Sequence, residues 1–220
     1  MAYIDFIGRV HNATARNYVQ RVVEYDKADC AEVAGRFGED YWDGDRRYGF
    51  GGYRYDGRWR VVAEAMVEQY DLQPGARILD VGCGKAFLLY EFTQALPDAQ
   101  VFGLDISTYA LQNAKPEVRE RLTEGHARSL PWDDASFDFV YSINTLHNLF
   151  NYDLDAAVAE IQRVGRRHRH ITVESYRNER EKANLLYWQL TCRAFHTPEE
   201  WEWIWRRNGY DGDYGCIYFE

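Results

Sequence analysis

The stretch LDVGCGKAF, Leu79 to Phe87, decides how this chain is read. An apolar run, RILDVG at 77–82, ends in two closely spaced glycines. It passes into KAFLLYEFTQAL at 85–96, whose apolar residues recur at spacings of three and four. That pattern predicts a buried strand, a tight turn and an amphipathic helix. Gly82 and Gly84 let the turn bring its backbone against a ligand without a Cβ in the way, and the helix that follows offers unpaired N–H groups. In an open parallel sheet, ligands sit at the carboxyl ends of strands where strand order reverses, usually after the first strand.

The alternation continues outward. Pro97 and Asp98 break the helix, and QVFGLDI (100–106) reads as a second strand. Ser107 or Thr108 caps a helix through TYALQNAK, which Pro116 interrupts or restarts. A short third strand is expected near LTEGHA (122–127), a fourth at FDFVYSI (137–143), a helix over 153–165 and a fifth strand at HITVESY (170–176). The tail adds helices over 181–195 and 198–208, and YGCIYFE as a last strand. Strand–helix alternation with short turns predicts an α/β, Rossmann-like fold, a mostly parallel sheet flanked by helices. Ahead of it, 17–37 reads as one helix, DRRYGFGGYRYDGRW (45–59) as a glycine- and ring-rich loop, and 57–70 as the helix leading into the sheet. The organisation expected is an N-terminal helical and aromatic cap over 1–56 and a ligand-binding domain over 57–220.

The chain has 220 residues, 46% hydrophobic and 28% charged, ordinary for a soluble domain, with a high aromatic content of 16%. A net charge of −9 argues against a nucleic-acid binder, which needs basic surface to displace counterions. The one basic run, GRRHRH at 165–170, reads as a solvated turn before a strand. No signal peptide and no membrane-length apolar segment is visible. Four scattered cysteines without CxxC spacing point to reduced thiols in a cytoplasm, and no His, Asp and Glu cluster has metal-ligand spacing. Alternating Trp201, Trp203 and Trp205 in a helical context predict core packing on one side and partial exposure on the other.

Two acids select the ligand. A dinucleotide fingerprint needs a third glycine where Phe87 stands, and no second nucleotide-binding half follows. Asp80, at the head of the loop, repels a pyrophosphate but suits an ammonium group. Asp105 ends the second strand about twenty residues beyond the loop, where a carboxylate accepts ribose hydroxyls. A nucleoside with a cationic amino-acid tail satisfies both, and S-adenosylmethionine (SAM) is such a molecule.

LDVGCGKAF, FGLDIS and EGHARSLPWDDASFDFVYSINTLHNL, in this strand–helix order, resemble the class I SAM-dependent methyltransferases over about residues 58–176. The resemblance implies that Asp80 helps hold the methionine end, Asp105 binds ribose and Ile106 packs on adenine. His126 stands where the family has an acid near the adenine amine, which leaves the Ala127 backbone amide as the contact there. Ala86 replaces the family's third glycine.

DRRYGFGGYRYDGRW lacks the GK[ST] ending of a phosphate loop and follows no strand. Read as a lid, it supplies aromatic faces for a sulfonium, a cation without a donor hydrogen, among Tyr41, Trp42, Tyr48, Phe50, Tyr53 and Tyr55. Its arginines, Arg58 among them, are candidates to pair with the methionine carboxylate. After the fourth strand, Asn144 is a candidate to orient an acceptor amine and His147 a candidate general base. Glu174 and Tyr176, at the end of the fifth strand, share one side of it. The function expected is methyl transfer from SAM to a small-molecule N or O acceptor by a monomer or homodimer, without nucleic acid or membrane. The alternatives are a SAM-consuming cyclase or lyase on the same fold, forming azetidine-2-carboxylate and methylthioadenosine, and a non-catalytic scaffold subunit. A nicotinamide oxidoreductase ranks last.

Overall fold

The computed structural model describes residues 1–11 and 16–220. The N-terminal third holds α1 (Gly8–His11), α2 (Tyr18–Glu24), α3 (Lys27–Ala34), α4 (Glu39–Trp42) and α5 (Arg60–Gln69). The alternating part follows: β1 (Arg77–Val81), α6 (Phe87–Ala95), β2 (Gln100–Asp105), α7 (Thr108–Gln112), α8 (Pro116–Arg119) and β3 (Leu122–Glu124). The last part is β4 (Phe137–Ile143), α9 (Asn151–Val164), β5 (Gly165–Glu174), α10 (Glu179–Trp188), α11 (Pro198–Arg207) and β6 (Asp213–Ile217).

The six strands form one sheet in the order β3-β2-β1-β4-β5-β6, every pairing parallel. The chain builds outward from β1 to β3 and then returns to β4 on the other side of β1. The order therefore reverses between β1 and β4, and the crevice above their carboxyl ends is where a ligand finds open backbone. Both faces are covered. On one, Leu154, Val158 and Ile161 of α9 pack with Trp201 and Trp205 of α11 on the strands. On the other, Val62 and Met66 of α5 meet Leu89 and Phe92 of α6. Trp201 and Trp205 are fully buried while Trp203 is 57% exposed, the one-sided packing that their spacing predicts. Among the described residues, no helix is long and apolar enough to cross a membrane.

Three expectations need correction. The basic run 165–170 is no turn but the first half of β5. Arg166 pairs with Asp138, Arg169 reaches Asp211 at 2.9 Å, and buried His170 sits between Tyr70 Oη (3.1 Å) and Thr172 Oγ1 (2.9 Å). The helix over 17–37 is two helices, because Asp26 turns its carboxylate onto the Ala28 and Asp29 amides and caps a new start. The helix over 181–195 stops at Trp188. Beyond it, the Arg193 and Ala194 amides donate to the His147 carbonyl at 2.8 and 2.9 Å instead of continuing the helix.

Candidate active site

The loop after β1 is built by its glycines. Gly82 has φ +89, and a Cβ there would stand 2.2 Å from Thr145 Oγ1. Gly84 has φ +52, and its Cβ would stand 2.6 Å from the Trp42 ring. Ala86, at φ +55, enters α6 in the left-handed region, where a residue with a Cβ costs about 1–2 kcal/mol.

Asp105 closes this loop. Its Oδ2 accepts the Gly84 N–H at 2.7 Å and its Oδ1 the Ser107 N–H at 2.8 Å. Burial raises its pKa and the backbone donors oppose that rise. Each carboxylate oxygen has two lone pairs, so one acceptor site per oxygen remains for hydroxyl donors. Ile106 beside it is 55% exposed, an apolar platform at the rim. Asp80, one strand over, is buried and its carboxyl is pushed up to about 8 by burial, with Tyr141 and Asp105 as smaller influences of opposite sign. The Tyr141 hydroxyl faces it without a well-formed hydrogen bond. Such a carboxyl is poised to ionise when a cation arrives.

The glycine- and ring-rich loop docks onto this one. Trp42, at the end of α4, is buried, stacks on Phe50 (5.2 Å, 5°) and donates its indole N–H to Ser107 Oγ at 2.9 Å. Tyr53 stacks on Phe87 at 5.0 Å, and its hydroxyl accepts the Trp59 indole N–H. The strongest tie is one that sequence reasoning missed. Lys85, inside LDVGCGKAF and only 4% exposed, donates to both Asp43 oxygens at 2.7 and 2.6 Å and to the Tyr53 carbonyl at 2.9 Å. Tyr109 Oη adds a bond to Asp43 at 2.8 Å. Burial works to raise the Asp43 pKa, but these donors win and hold it below the usual range. The signal in the sequence was a lysine in a loop otherwise suited to cations, facing a chain stretch with acids to spare.

Asn144 follows β4 with φ +59, and its Oδ1 is buried without a hydrogen-bond partner. A non-glycine residue in that region, with an unsatisfied acceptor, is a mark of a functional position. His147 is placed differently from a general base. It is 1% exposed, its Nδ1 accepts the Glu174 N–H at 3.2 Å, and its Nε2 faces Glu174 Oε2 at 3.4 Å. Burial lowers its pKa to about 3, so it is a neutral ring, hydrogen-bonded through Nδ1 and with Nε2 turned towards Glu174 inside the protein. Glu174 is also buried. Burial pushes its carboxyl up to about 8, opposed by the Gln189 side-chain amide and by Arg16. Tyr41 of α4 lies near this group, its hydroxyl within reach of Thr191. Tyr176 is half-buried, and the Lys182 ammonium lies 5.2 Å from its ring centre.

The remaining candidates sit at the rim. His126 Nδ1 accepts the Arg128 N–H at 3.2 Å, and Ala127 is buried in the core. Arg58 is exposed and clasps Asp56 two residues away, so its guanidinium fork is already filled. A cavity of about 140 Å³ lined by Tyr70, Pro74, Asp138 and His168 lies at the opposite end of the sheet, by the amino ends of β1 and β4, and has no part in this site.

Residues 79–172 match a protein family described as "Methyltransferase domain". A demethylmenaquinone methyltransferase of Roseiflexus castenholzii is 32% identical over 114 residues, covering 50% of this chain and 46% of that protein. The O-methyltransferase cnsE of Penicillium expansum is 30% identical over 138 residues, 53% of this chain and 50% of that one. The crystal structure of a putative methyltransferase from Bacillus halodurans superposes with a TM-score of 0.54 at 18% identity, over 67% of this chain and 68% of that one. The fold is that of a solved methyltransferase, and the family match lies within residues 79–172. The chain spans about half the length of the curated methyltransferases that it matches. In this fold the sheet order, the glycine loop and the two acids stand together at the switch point.

Proposed function

We propose that this protein transfers the methyl group of SAM to a nitrogen or oxygen of a small-molecule acceptor. The observation that carries this is the Asp105 carboxylate. It is held by the Gly84 and Ser107 amides at the mouth of the glycine loop, with Ile106 exposed beside it and Asp80 across the loop. A nucleoside with a cationic tail fits these groups: hydroxyls to Asp105, base over Ile106 toward the Ala127 amide, ammonium to Asp80. The sulfonium supplies an activated methyl group that leaves by in-line displacement.

The protein's part is placement and exclusion of water. Trp42, Phe50 and Tyr53 cover the loop with rings, and rings attract a sulfonium by about 0.5–2 kcal/mol each. The Asn144 side-chain oxygen, buried and without a partner, accepts a hydrogen from an acceptor amine or hydroxyl and so aims its lone pair. Glu174, His147 and Gln189 form a polar wall behind it. Within that wall His147 positions Glu174 rather than taking the substrate's proton.

A second reading draws on the density of rings against Gly84, which leaves little room beside a sulfonium: SAM is then itself the substrate, cyclised by its own amine. Both readings are separated by incubating the purified protein with SAM alone and quantifying products by mass spectrometry. Intact, bound SAM supports methyl transfer to an added acceptor. Methylthioadenosine with a four-carbon amino acid supports cyclisation, and failure to bind SAM overturns both.

A further inference from the structure

Beside the Glu174 wall, three cations gather without a counter-ion. Arg21 of α2, Lys27 of α3 and Arg46 of the lid stand at Trp188, the last residue of α10, whose ring Arg16 also faces at 5.5 Å. The Arg21 and Arg46 guanidinium carbons lie 4.7 and 5.2 Å from the Trp188 ring centre. Among the described residues their hydrogen-bond acceptors are all backbone carbonyls. Arg21 donates to Trp188 O at 2.9 Å and Arg46 O at 3.3 Å, Lys27 to the carbonyls of Leu186 and Gln189, and Arg46 to that of Gly49. Carbonyls satisfy the donors but do not cancel the charge.

The charges reinforce one another unfavourably. Burial lowers the pKa of Arg21, and Arg46 lowers it further; burial lowers Lys27 to about 8, and Arg21 adds to that. Half-buried like charges held together are unstable without an anion between them. The chain carries 35 acidic residues against 26 basic ones, so a carboxylate was available to fill the gap. Glu174, joined to the cluster through Gln189, is pushed up to about 8 and lacks full charge at neutral pH. The cluster is one residue from the site: Gln189 gives its backbone carbonyl to Lys27 and its side-chain amide to Glu174.

We propose that Arg21, Lys27 and Arg46, gathered at Trp188, bind an anionic group, a carboxylate or a phosphate, carried by the methyl acceptor. The inference rests on the methyltransferase reading for the word acceptor, and on the cluster alone for the anion. Guanidinium groups present paired donors to either anion. Acceptor specificity then comes from the far end of the molecule, while Asn144 holds the end that is methylated.

The test is titration of the full chain with benzoate, inorganic phosphate and the neutral isostere benzamide, followed by tryptophan fluorescence and calorimetry. Arg21→Gln and Arg46→Gln are compared with wild type and with Arg180→Gln, an exposed control on α10, the helix that ends at Trp188. Arg46 is exposed, so its variant keeps the test sound if Arg21→Gln folds poorly. The expected result is binding of at least one anion but not of benzamide, weakened about tenfold or more in both cluster variants and unchanged in the control. Saturation by benzoate alone identifies a carboxylate, and by phosphate alone a phosphate. Absence of anion binding, or anion binding untouched by both variants, overturns the proposal. SAM affinity is measured in the same samples. Its loss in the cluster variants assigns the cations to the cofactor's own carboxylate and overturns the acceptor assignment. Anion binding by a protein that does not bind SAM leaves the anion site standing and refutes the methyltransferase reading instead.

Discussion

Replacing Asp105 tests the cofactor assignment at its narrowest point. In Asp105→Ala the Gly84 and Ser107 amides lose acceptors at 2.7 and 2.8 Å. Asp105 is itself buried, so both amides are left short of an acceptor. The expected cost in stability is about 1–3 kcal/mol, as for buried donors left short of a partner. The cost in affinity is larger. Two ribose hydroxyls donating to a carboxylate contribute about 1.5–3 kcal/mol each, so removing both weakens SAM binding by about 3–6 kcal/mol, a factor of roughly 10²–10⁴. Asp105→Asn keeps one acceptor oxygen and should lose about half of that energy. The assay is calorimetric titration with SAM, and with methylthioadenosine and its 2′-deoxy analogue. Wild type should discriminate between the last two, and Asp105→Ala should not. A folded Asp105→Ala protein that binds SAM within about twofold of wild type, or still tells the two nucleosides apart, refutes the assignment, because a twofold change is only ~0.4 kcal/mol.

Three further outcomes follow from the charges. The unliganded Asp80 carboxyl, pushed up to about 8 by burial, is mostly protonated at neutral pH, and an ammonium beside it favours the ionised form. SAM binding at neutral pH should therefore release close to one proton, read as a buffer dependence of the binding heat; the release should vanish well above pH 8 and in Asp80→Asn. The Lys85–Asp43 pair ties the lid to the loop at 2.6 Å with Lys85 buried, so Lys85→Met should destabilise by about 3 kcal/mol and expose residues 43–57 to protease first. Unchanged cleavage there would remove the tie from the account. Between its unfolded value of 4.5 and its folded value of about 8, Glu174 takes up a proton on folding, so stability falls as pH rises through that window. His147 works oppositely, adding stability as pH rises from about 3 to 6.5 and nothing above. Above pH 6.5 the carboxyl slope stands alone for this pair, and Glu174→Gln should gain on wild type by about 1.4 kcal/mol per pH unit up to about 8. Parallel melting curves of the two proteins across that range would refute it.

Much of the sheet was legible because its strands are short apolar runs closed by glycine, proline or an acid. FDFVYSI was placed without error, and Pro116 restarts a helix as its ring dictates. What escaped notice depended on partners distant in sequence. GRRHRH reads as solvated until Asp138, Asp211 and Tyr70 are brought to it by the fold. His147 reads as a base because its type and position suit one, and only its burial against Glu174 shows a neutral ring turned inward. Lys85 has no partner visible in the sequence around it; Asp43 is 42 residues away. Arg58 went the other way, claimed by Asp56 next door, a pairing that local sequence does contain.

The two glycine-containing stretches are one device, and this has a thermodynamic consequence. Gly84 lacks a Cβ, and Trp42 lies where a Cβ would point, so the turn and the lid share a single contact. Ser107 caps α7 on the Ala110 amide, accepts the Trp42 indole and donates to the Phe37 carbonyl, while its own amide holds Asp105. Lid order is thereby bonded to the same residue that orients the ribose-binding acid. Whatever SAM gains from Asp105 it shares with the lid, and by linkage a lid that is weakened must weaken SAM by the same factor that SAM steadies the lid. A glycine loop in this domain therefore cannot be assigned its affinity from its own residues. On the reading proposed above, the N-terminal rings and Asp43 belong to the cofactor site as much as Gly82 and Gly84 do.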